Sequence, residues 1–197
     1  MSETEKSRLF VAIFPSADIV TNLQTIIACL AKHIPAPAIR WTPPEQIHLT
    51  LHFLGSIAST RIPEIESALA SACDGHRRCA VRVSGLGCFP NPARPRVVWA
   101  GLAGDLAAME TLKNSIDAAL LTCGGKREER AFHPHLTLGR VSQLNVMERK
   151  RMAEVLAGEQ GGDFAGWQVD RVDLMQSVLS PQGATYRRLK SVALDIL

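Results

Sequence analysis

The tetrapeptide His-Leu-Thr-Leu occurs twice, at His48 and at His135, 87 residues apart. Each copy sits in a run that alternates apolar and polar residues. The first, residues 47–54 (IHLTLHFL), lies between Pro44 and Gly55; the second spans residues 131–141. Such alternation marks a half-buried strand. Side chains two apart on a strand share a face. His48 and Thr50 therefore point one way, and Leu49 and Leu51 the other. His135 with Thr137, and Leu136 with Leu138, repeat the arrangement. The leucines are explained as core. Two polar His/Thr faces on matching strands are not, and they could meet across a cleft.

The surrounding segments have the same two-fold character. Residues 9–14 (LFVAIF) form a continuous apolar run that reads as a buried strand. Ile19, Val20, Leu23, Ile26, Ile27 and Leu30 recur at helical spacing, with Ser16 as a candidate cap. Residues 33–44 are proline-rich and read as a loop. Ile62, Ile65, Leu69 and Ala72 mark a second helix. Residues 80–86 and 96–102 read as strands joined by a Gly/Pro-rich hairpin connection. Leu106, Met109, Leu112, Ile116 and Leu120 give a third helix, stopped by Gly124 and Gly125. A charged loop follows at 126–130. Asn145 and Glu148 form a capping signature for a fourth helix ending near Gly158. Residues 169–179 and 185–196 close the chain as two strands.

The order is strand, helix, strand, helix, paired strands, and then helix, strand, helix, paired strands. It is neither a β-α alternation nor a block of strands followed by a block of helices. It predicts an α+β fold: a bilobal, pseudo-symmetric duplication in which two antiparallel sheets face a central cleft with helices outside. No long linker divides the chain, so residues 1–197 are expected to form one bilobal unit.

Composition narrows the function. The chain has 46% hydrophobic and 21% charged residues, which argues against disorder. With 22 basic and 19 acidic residues the net charge is +3. That is too balanced for a binder driven by many phosphate contacts, but it leaves room for a local basic cleft. The five cysteines are odd in number and scattered without a C-x-x-C, which points to small buried hydrophobes in a reducing cytoplasm. The start is acidic before it is apolar, unlike a signal peptide, and no run is long enough to span a membrane.

Two imidazoles facing one bond can act as general acid and general base, because the unperturbed histidine pKa lies near neutrality. Threonine hydroxyls beside them are neutral donors for phosphate or carbonyl oxygens. Arg140 lies five residues after His135. Plain alternation puts it on the opposite face; a bulge at Gly139 would bring it round as a positive fork for phosphate. A single His-x-Thr is usually only a satisfied polar pair on a strand, so the weight rests on the repetition.

On these residues the chain resembles the 2H phosphoesterase superfamily, and within it the RNA 2′,3′-cyclic phosphodiesterase family once described as 2′-5′ RNA ligases. The similarity runs through residues 8–16 (RLFVAIFPS), 40–55 (RWTPPEQIHLTLHFLG), 89–102 (FPNPARPRVVWAGL), 132–140 (FHPHLTLGR) and 177–189 (SVLSPQGATYRRL). It implies a hydrolase that needs no cofactor, neither metal nor ATP, and acts on RNA ending in a 2′,3′-cyclic phosphate or on a cyclic nucleotide. It also implies His48 as proton donor to the leaving O3′, His135 as proton acceptor from water, and a 2′-phosphomonoester product. Thr50, Thr137 and Arg140 would hold the phosphate. A monomer without membrane or protein partner is expected. Where the family often has an arginine, this chain has His133, a candidate substrate contact or a solvated replacement.

Other readings remain beside this one. An RNA-end or nucleotide-binding module would keep the cleft without turnover, but has no need of two proton-transfer groups. Reversible 2′-5′ ligation would use the same histidines with a ribose hydroxyl in place of water. A zinc site could draw on His48, His52, His133 and His135, since alternation puts His52 on the face of His48; against it, only Glu45 among carboxylates lies near, and the threonines go unexplained. His33 and His76 read as surface residues. Gly124-Gly125-Lys126 lacks the rest of a phosphate loop. Arg94, Arg96, Arg187 and Arg188 are candidates for an RNA groove. Trp41, Trp99, Phe14 and Phe89 are candidates for base stacking, with core packing the expectation for Trp99 and Phe14. The role of Tyr186 stays open.

Overall fold

Alternating strands and amphipathic helices assemble as two antiparallel sheets and four helices in the computed structural model, which describes residues 5–34, 38–125, 131–158, 166–181 and 183–196. The order is β1 (Lys6–Ile13), α1 (Ala17–His33), β2 (Ile39–Trp41), β3 (Leu49–Ala58), α2 (Ile62–Cys73), β4 (Cys79–Phe89) and β5 (Val97–Gly104). It continues with α3 (Leu106–Thr122), β6 (His135–Val141), α4 (Val146–Gly158), β7 (Gly166–Val169), β8 (Arg171–Ser180) and β9 (Gly183–Ala193). This is the expected α+β order with two short strands added. β2 lies inside the proline-rich segment read as a loop, and β7 precedes β8 across Asp170. The charged segment 126–130 lies outside the described residues.

Local chemistry accounts for the start of α4. Asn145 and Glu148 close a reciprocal capping box before α4: the Glu148 amide donates to Asn145 Oδ1 at 2.9 Å, and the Asn145 amide to Glu148 Oε2 at 2.7 Å. Ser16 stands at the N-cap of α1, but its hydroxyl makes no capping bond.

The sheets do not divide the chain at its midpoint. One has the order β3-β1-β8-β9, so its strands come from both ends of the chain. The other has the order β2-β6-β5-β4-β7. Apart from β2, each order runs from a motif strand through two inner strands to an outer one. The hairpin partners are β8–β9 in the first sheet and β5–β4 in the second. Helix α2 packs on α3 and against β8 and β9, while α1 packs on α4, which reaches β4. One continuous apolar core joins both sheets to the helices; it contains Leu49, Leu51, Leu136 and Leu138. A second small cluster of Phe10, Ala12 and Met175, flanked by Phe14 and Tyr186, sits apart from it on the other face of the first sheet. The motif strands β3 and β6 approach each other where the two sheets meet.

Candidate active site

The two motif strands share one backbone irregularity. In β3, Thr50 lies opposite Ala12 and His52 opposite Val11, so one residue of β1 faces two of β3 and Leu51 is the extra one. In β6, Thr137 lies opposite Trp99 and Gly139 opposite Val98, so Leu138 is extra. Both copies therefore carry a β-bulge at the second leucine of His-Leu-Thr-Leu. A bulge turns the following residues over relative to plain alternation. Leu51 and His52 are both buried toward the core, as are Leu138 and Gly139.

The consequence for Arg140 is direct. His135, Thr137 and Arg140 lie opposite Gly101, Trp99 and Val97, three alternate positions of β5. All three thus share one face, which settles the alternative left open by Gly139. Gly139 is required at that point, because a Cβ there would come within 2.7 Å of Ile39 Cγ2 and 2.9 Å of Trp41 Cε3. In β3 the same position after the bulge is Phe53, opposite Phe10, and it is largely exposed.

His52 is where alternation fails. The bulge removes it from the face of His48 and sends it inward, 3% exposed, with Nδ1 2.7 Å from Asp117 Oδ1 on α3. Lys113 Nζ holds the other oxygen of Asp117 at 2.5 Å. The zinc set that included His52 is therefore split between two sides of the sheet. Among the described residues no three His, Cys, Asp or Glu side chains converge as a metal site.

His48 precedes the first residue of β3 and His135 is the first residue of β6. Both are held alike. His48 Nδ1 lies 2.7 Å from the Gln46 carbonyl, and His135 Nδ1 lies 2.6 Å from the His133 carbonyl. In each case Nδ1–H donates to the backbone, so Nε2 is the nitrogen left for proton transfer. Gln46 is itself tied down, its Nε2 donating to the Ala184 carbonyl of β9 at 2.8 Å. His133 is exposed, and it acts on His135 through that carbonyl and through its charge.

Both histidines are pushed below the ordinary imidazole pKa, first by burial, which disfavours the cation. The backbone acceptors act the other way. The positive charges of His135 and Arg140 lower His48 further, and that of His133 lowers His135. His48 thus feels two residues of the opposite sheet, His135 and Arg140. Thr50 and Thr137 are half-buried on the same faces as the histidines.

Aromatic rings frame each imidazole. Phe10, Phe14 and Tyr186 stand 5.1, 5.5 and 5.4 Å from the His48 ring, Tyr186 edge-on. Phe89 stands 5.0 Å from His135, also edge-on, and Trp99 6.3 Å away. Trp99 and Phe14 therefore belong to the histidine faces and not to the main core. Trp99 lies across Gly87, where a Cβ would come within 2.3 Å of its ring. Trp41 and the Gly124–Gly125 turn take no part in the site; Trp41 packs on the core. Phe10 is a further member of this frame, one that nothing in its apolar run singles out.

The remaining candidates are structural. The five cysteines are free, four of them buried, and burial pushes the Cys73 thiol up to about 11. His76 is half-buried against Ser115 Oγ at 3.0 Å, and His33 is exposed. A groove between α1 and α4, lined by Lys32, His33, Glu148 and Arg151, shares no residue with the histidine faces. No helix among the described residues is long and apolar enough to cross a membrane.

Comparison with known proteins gives consistent similarities. The sequence model of the LigT like Phosphoesterase family matches residues 13–99 and 104–186. The chain is 30% identical to an RNA 2′,3′-cyclic phosphodiesterase of Archaeoglobus fulgidus, over 93% of this chain and 98% of that protein. It is 32% identical to one of Aeropyrum pernix, over 75% of this chain and 82% of that protein. Among solved structures it is similar to Escherichia coli LigT complexed with 3′-AMP: 26% identity, TM-score 0.76, covering 96% of this chain and 99% of LigT.

Proposed function

Because the chain belongs to the LigT like Phosphoesterase family, we propose that it hydrolyses 2′,3′-cyclic phosphate ends of RNA to 2′-phosphomonoesters by general acid–base catalysis, with His48 and His135 as the two proton-transfer groups. The relatives named RNA 2′,3′-cyclic phosphodiesterase support the substrate class. The observation that carries the mechanism is the matched pair of imidazoles, each with Nδ1 bonded to the carbonyl two residues earlier.

The steps balance as follows. Water attacks phosphorus, and neutral His135 takes its proton on Nε2. The P–O3′ bond breaks, and protonated His48 gives its Nε2 proton to the leaving O3′. The product carries a 2′-phosphate and a free 3′-hydroxyl. The histidines end in exchanged protonation states, which solvent resets. Thr50 and Thr137 donate to the non-bridging oxygens, and Arg140 supplies a positive charge where negative charge accumulates. The donor and acceptor assignment rests on the family resemblance. No metal takes part in these steps. The two lobes act as one unit, and the chain acts as a monomer in the reducing cytoplasm, in keeping with its free thiols.

The test is incubation with 2′,3′-cyclic nucleotides, and with RNA ending in a cyclic phosphate, in the presence of EDTA, with product identification. A 2′-monophosphate is expected. A 3′-monophosphate would exchange the leaving groups, loss of activity with EDTA would replace the mechanism by a metal-assisted one, and no turnover would leave the binding-module alternative.

A further inference from the structure

A buried carboxylate stands on the histidine face of the first sheet without any part in proton transfer. Asp173 of β8 lies opposite Ala12 of β1, two positions from Met175, which lies opposite Phe10. Its side chain is 1% exposed, and neither oxygen makes a hydrogen bond among the described residues. Its partner is an ion pair with Arg188 of β9, Nε to Oδ2 at 3.1 Å. An isolated buried carboxylate is costly, and a pair with one partner is no better for stability than an apolar side chain. What the pair does is fix the guanidinium. Nε lies 3.1 Å from Asp173 Oδ2, so the carboxylate holds a half-exposed guanidinium over this face of the sheet by charge.

The location gives that fork a purpose. Arg188 lies opposite Met175 and Tyr186 opposite Ser177, so β9 turns both toward the small apolar cluster that floors His48. Arg188 Cζ stands 5.9 Å from the centre of the Phe14 ring, which stands 5.5 Å from the His48 ring. The guanidinium is thus one aromatic ring removed from the proton donor. A place beyond the ring that flanks His48 suits the next phosphate along a chain. A planar fork held by a carboxylate is the geometry used for recognising phosphodiester oxygens.

We propose that Arg188, moored by Asp173, binds the phosphodiester that joins the terminal nucleotide to its 5′ neighbour. The site then distinguishes an RNA end from a cyclic mononucleotide, which lacks that group. This rests on the proposed cyclic phosphodiesterase activity and adds the substrate length to it.

The experiment compares a cyclic mononucleotide with a trinucleotide that ends in the same base and a 2′,3′-cyclic phosphate. The ratio of their kcat/KM values is measured in the parent protein and in Arg188→Gln. The same comparison is made for binding of 2′-phosphorylated mononucleotide and trinucleotide, which needs no turnover. The preference for the trinucleotide should fall about tenfold, mostly through KM, as loss of one charged hydrogen-bonding contact implies. The slope of log affinity against log salt for the trinucleotide should drop by about 0.7, the share of one single-strand phosphate contact. The double variant Asp173→Asn/Arg188→Gln removes both charges together, so no buried carboxylate is left unpaired, and it should lose the same preference. An unchanged ratio in either variant overturns the proposal. So does an equal loss for both ligands, which would place Arg188 on the reacting phosphate. If the parent hydrolyses neither substrate, the cyclic phosphodiesterase reading fails, and the binding ratio still decides the role of Arg188.

Discussion

Strands β3 and β6 carry the same four residues, the same bulge and the same histidine tether, yet they part company just after the bulge. In β3 the inward residue is His52, bonded to Asp117 on α3, and the outward one is the exposed Phe53. In β6 the inward residue is Gly139, pressed under Ile39 and Trp41 of β2, and the outward one is Arg140. The shared part sets up the chemistry. The divergent part anchors each strand to its own surroundings and gives the two faces opposite character, one apolar and one cationic. A duplicated motif thus suits the asymmetric task proposed for it, in which one imidazole gives a proton while the other takes one.

The sharpest way to break the symmetry is to remove one imidazole at a time. His48→Ala and His135→Ala should each lower kcat by about 10²–10⁴-fold, the usual worth of a general acid or base. Both side chains are half-buried on a solvent-facing side, so circular dichroism and Tm should change little. Full activity in either variant removes that residue from the mechanism.

The anchors come next. Asp117→Ala strands Lys113 and His52, whose side chains are 8% and 1% exposed. It should cost about 3–5 kcal/mol in urea unfolding, the range for breaking a buried pair. On the other strand, Gly139→Ala forces a methyl group against Ile39 and Trp41 and should cost about 1–3 kcal/mol. It should also reduce activity beyond that loss of stability, because Arg140 is the next residue. If Gly139→Ala is neutral in both respects, the bulge in β6 is not what aims Arg140.

Smaller effects concern charge. Burial leads in lowering His48, but the Arg140 cation lowers it as well. Arg140→Met should therefore raise the His48 pKa in an NMR titration, by less than burial lowers it. For the unmodified protein, the donor must be protonated, so activity falls as pH rises through the His48 pKa. The acceptor must be neutral, so activity falls as pH drops through the His135 pKa. Both pKa values lie below the ordinary imidazole value of 6.5. The bell-shaped profile of kcat/KM, which reports the free protein, should accordingly centre on the acid side of 6.5. A centre well above it would contradict the burial of the two rings.

Much of this was legible in the residues. The repeated motif, its leucine core, the four helices and the Asn145–Glu148 capping box depend on spacing within a few residues, and spacing is visible in a chain. The rest depends on partners far away. Strands as short as Ile39–Trp41 and Gly166–Val169 show no period of their own and are made by pairing with β6 and β4. The bulges leave no mark on the alternation except the small residue at Gly139. That is why His52 seemed to share a face with His48, and why the side taken by Arg140 was undecided. Trp99 and Phe14 seemed to be core for a similar reason: an apolar strand does not announce which of its faces meets helices and which meets the opposite sheet.

The return of β8 and β9 to the sheet begun by β1 also has a bearing on how the protein comes into being. As the chain leaves the ribosome, β1 acquires β3 early but waits for β8 until more than a hundred further residues have emerged. The floor beneath His48 waits with it: Met175, Tyr186 and the Ala184 carbonyl that secures Gln46 all arrive on the last hairpin. A nascent or clipped chain lacking that hairpin would hold both His-Leu-Thr-Leu copies and still have no working donor site. On the proposed mechanism, catalytic competence then waits for the β8–β9 hairpin, and copies without it stay silent toward RNA ends.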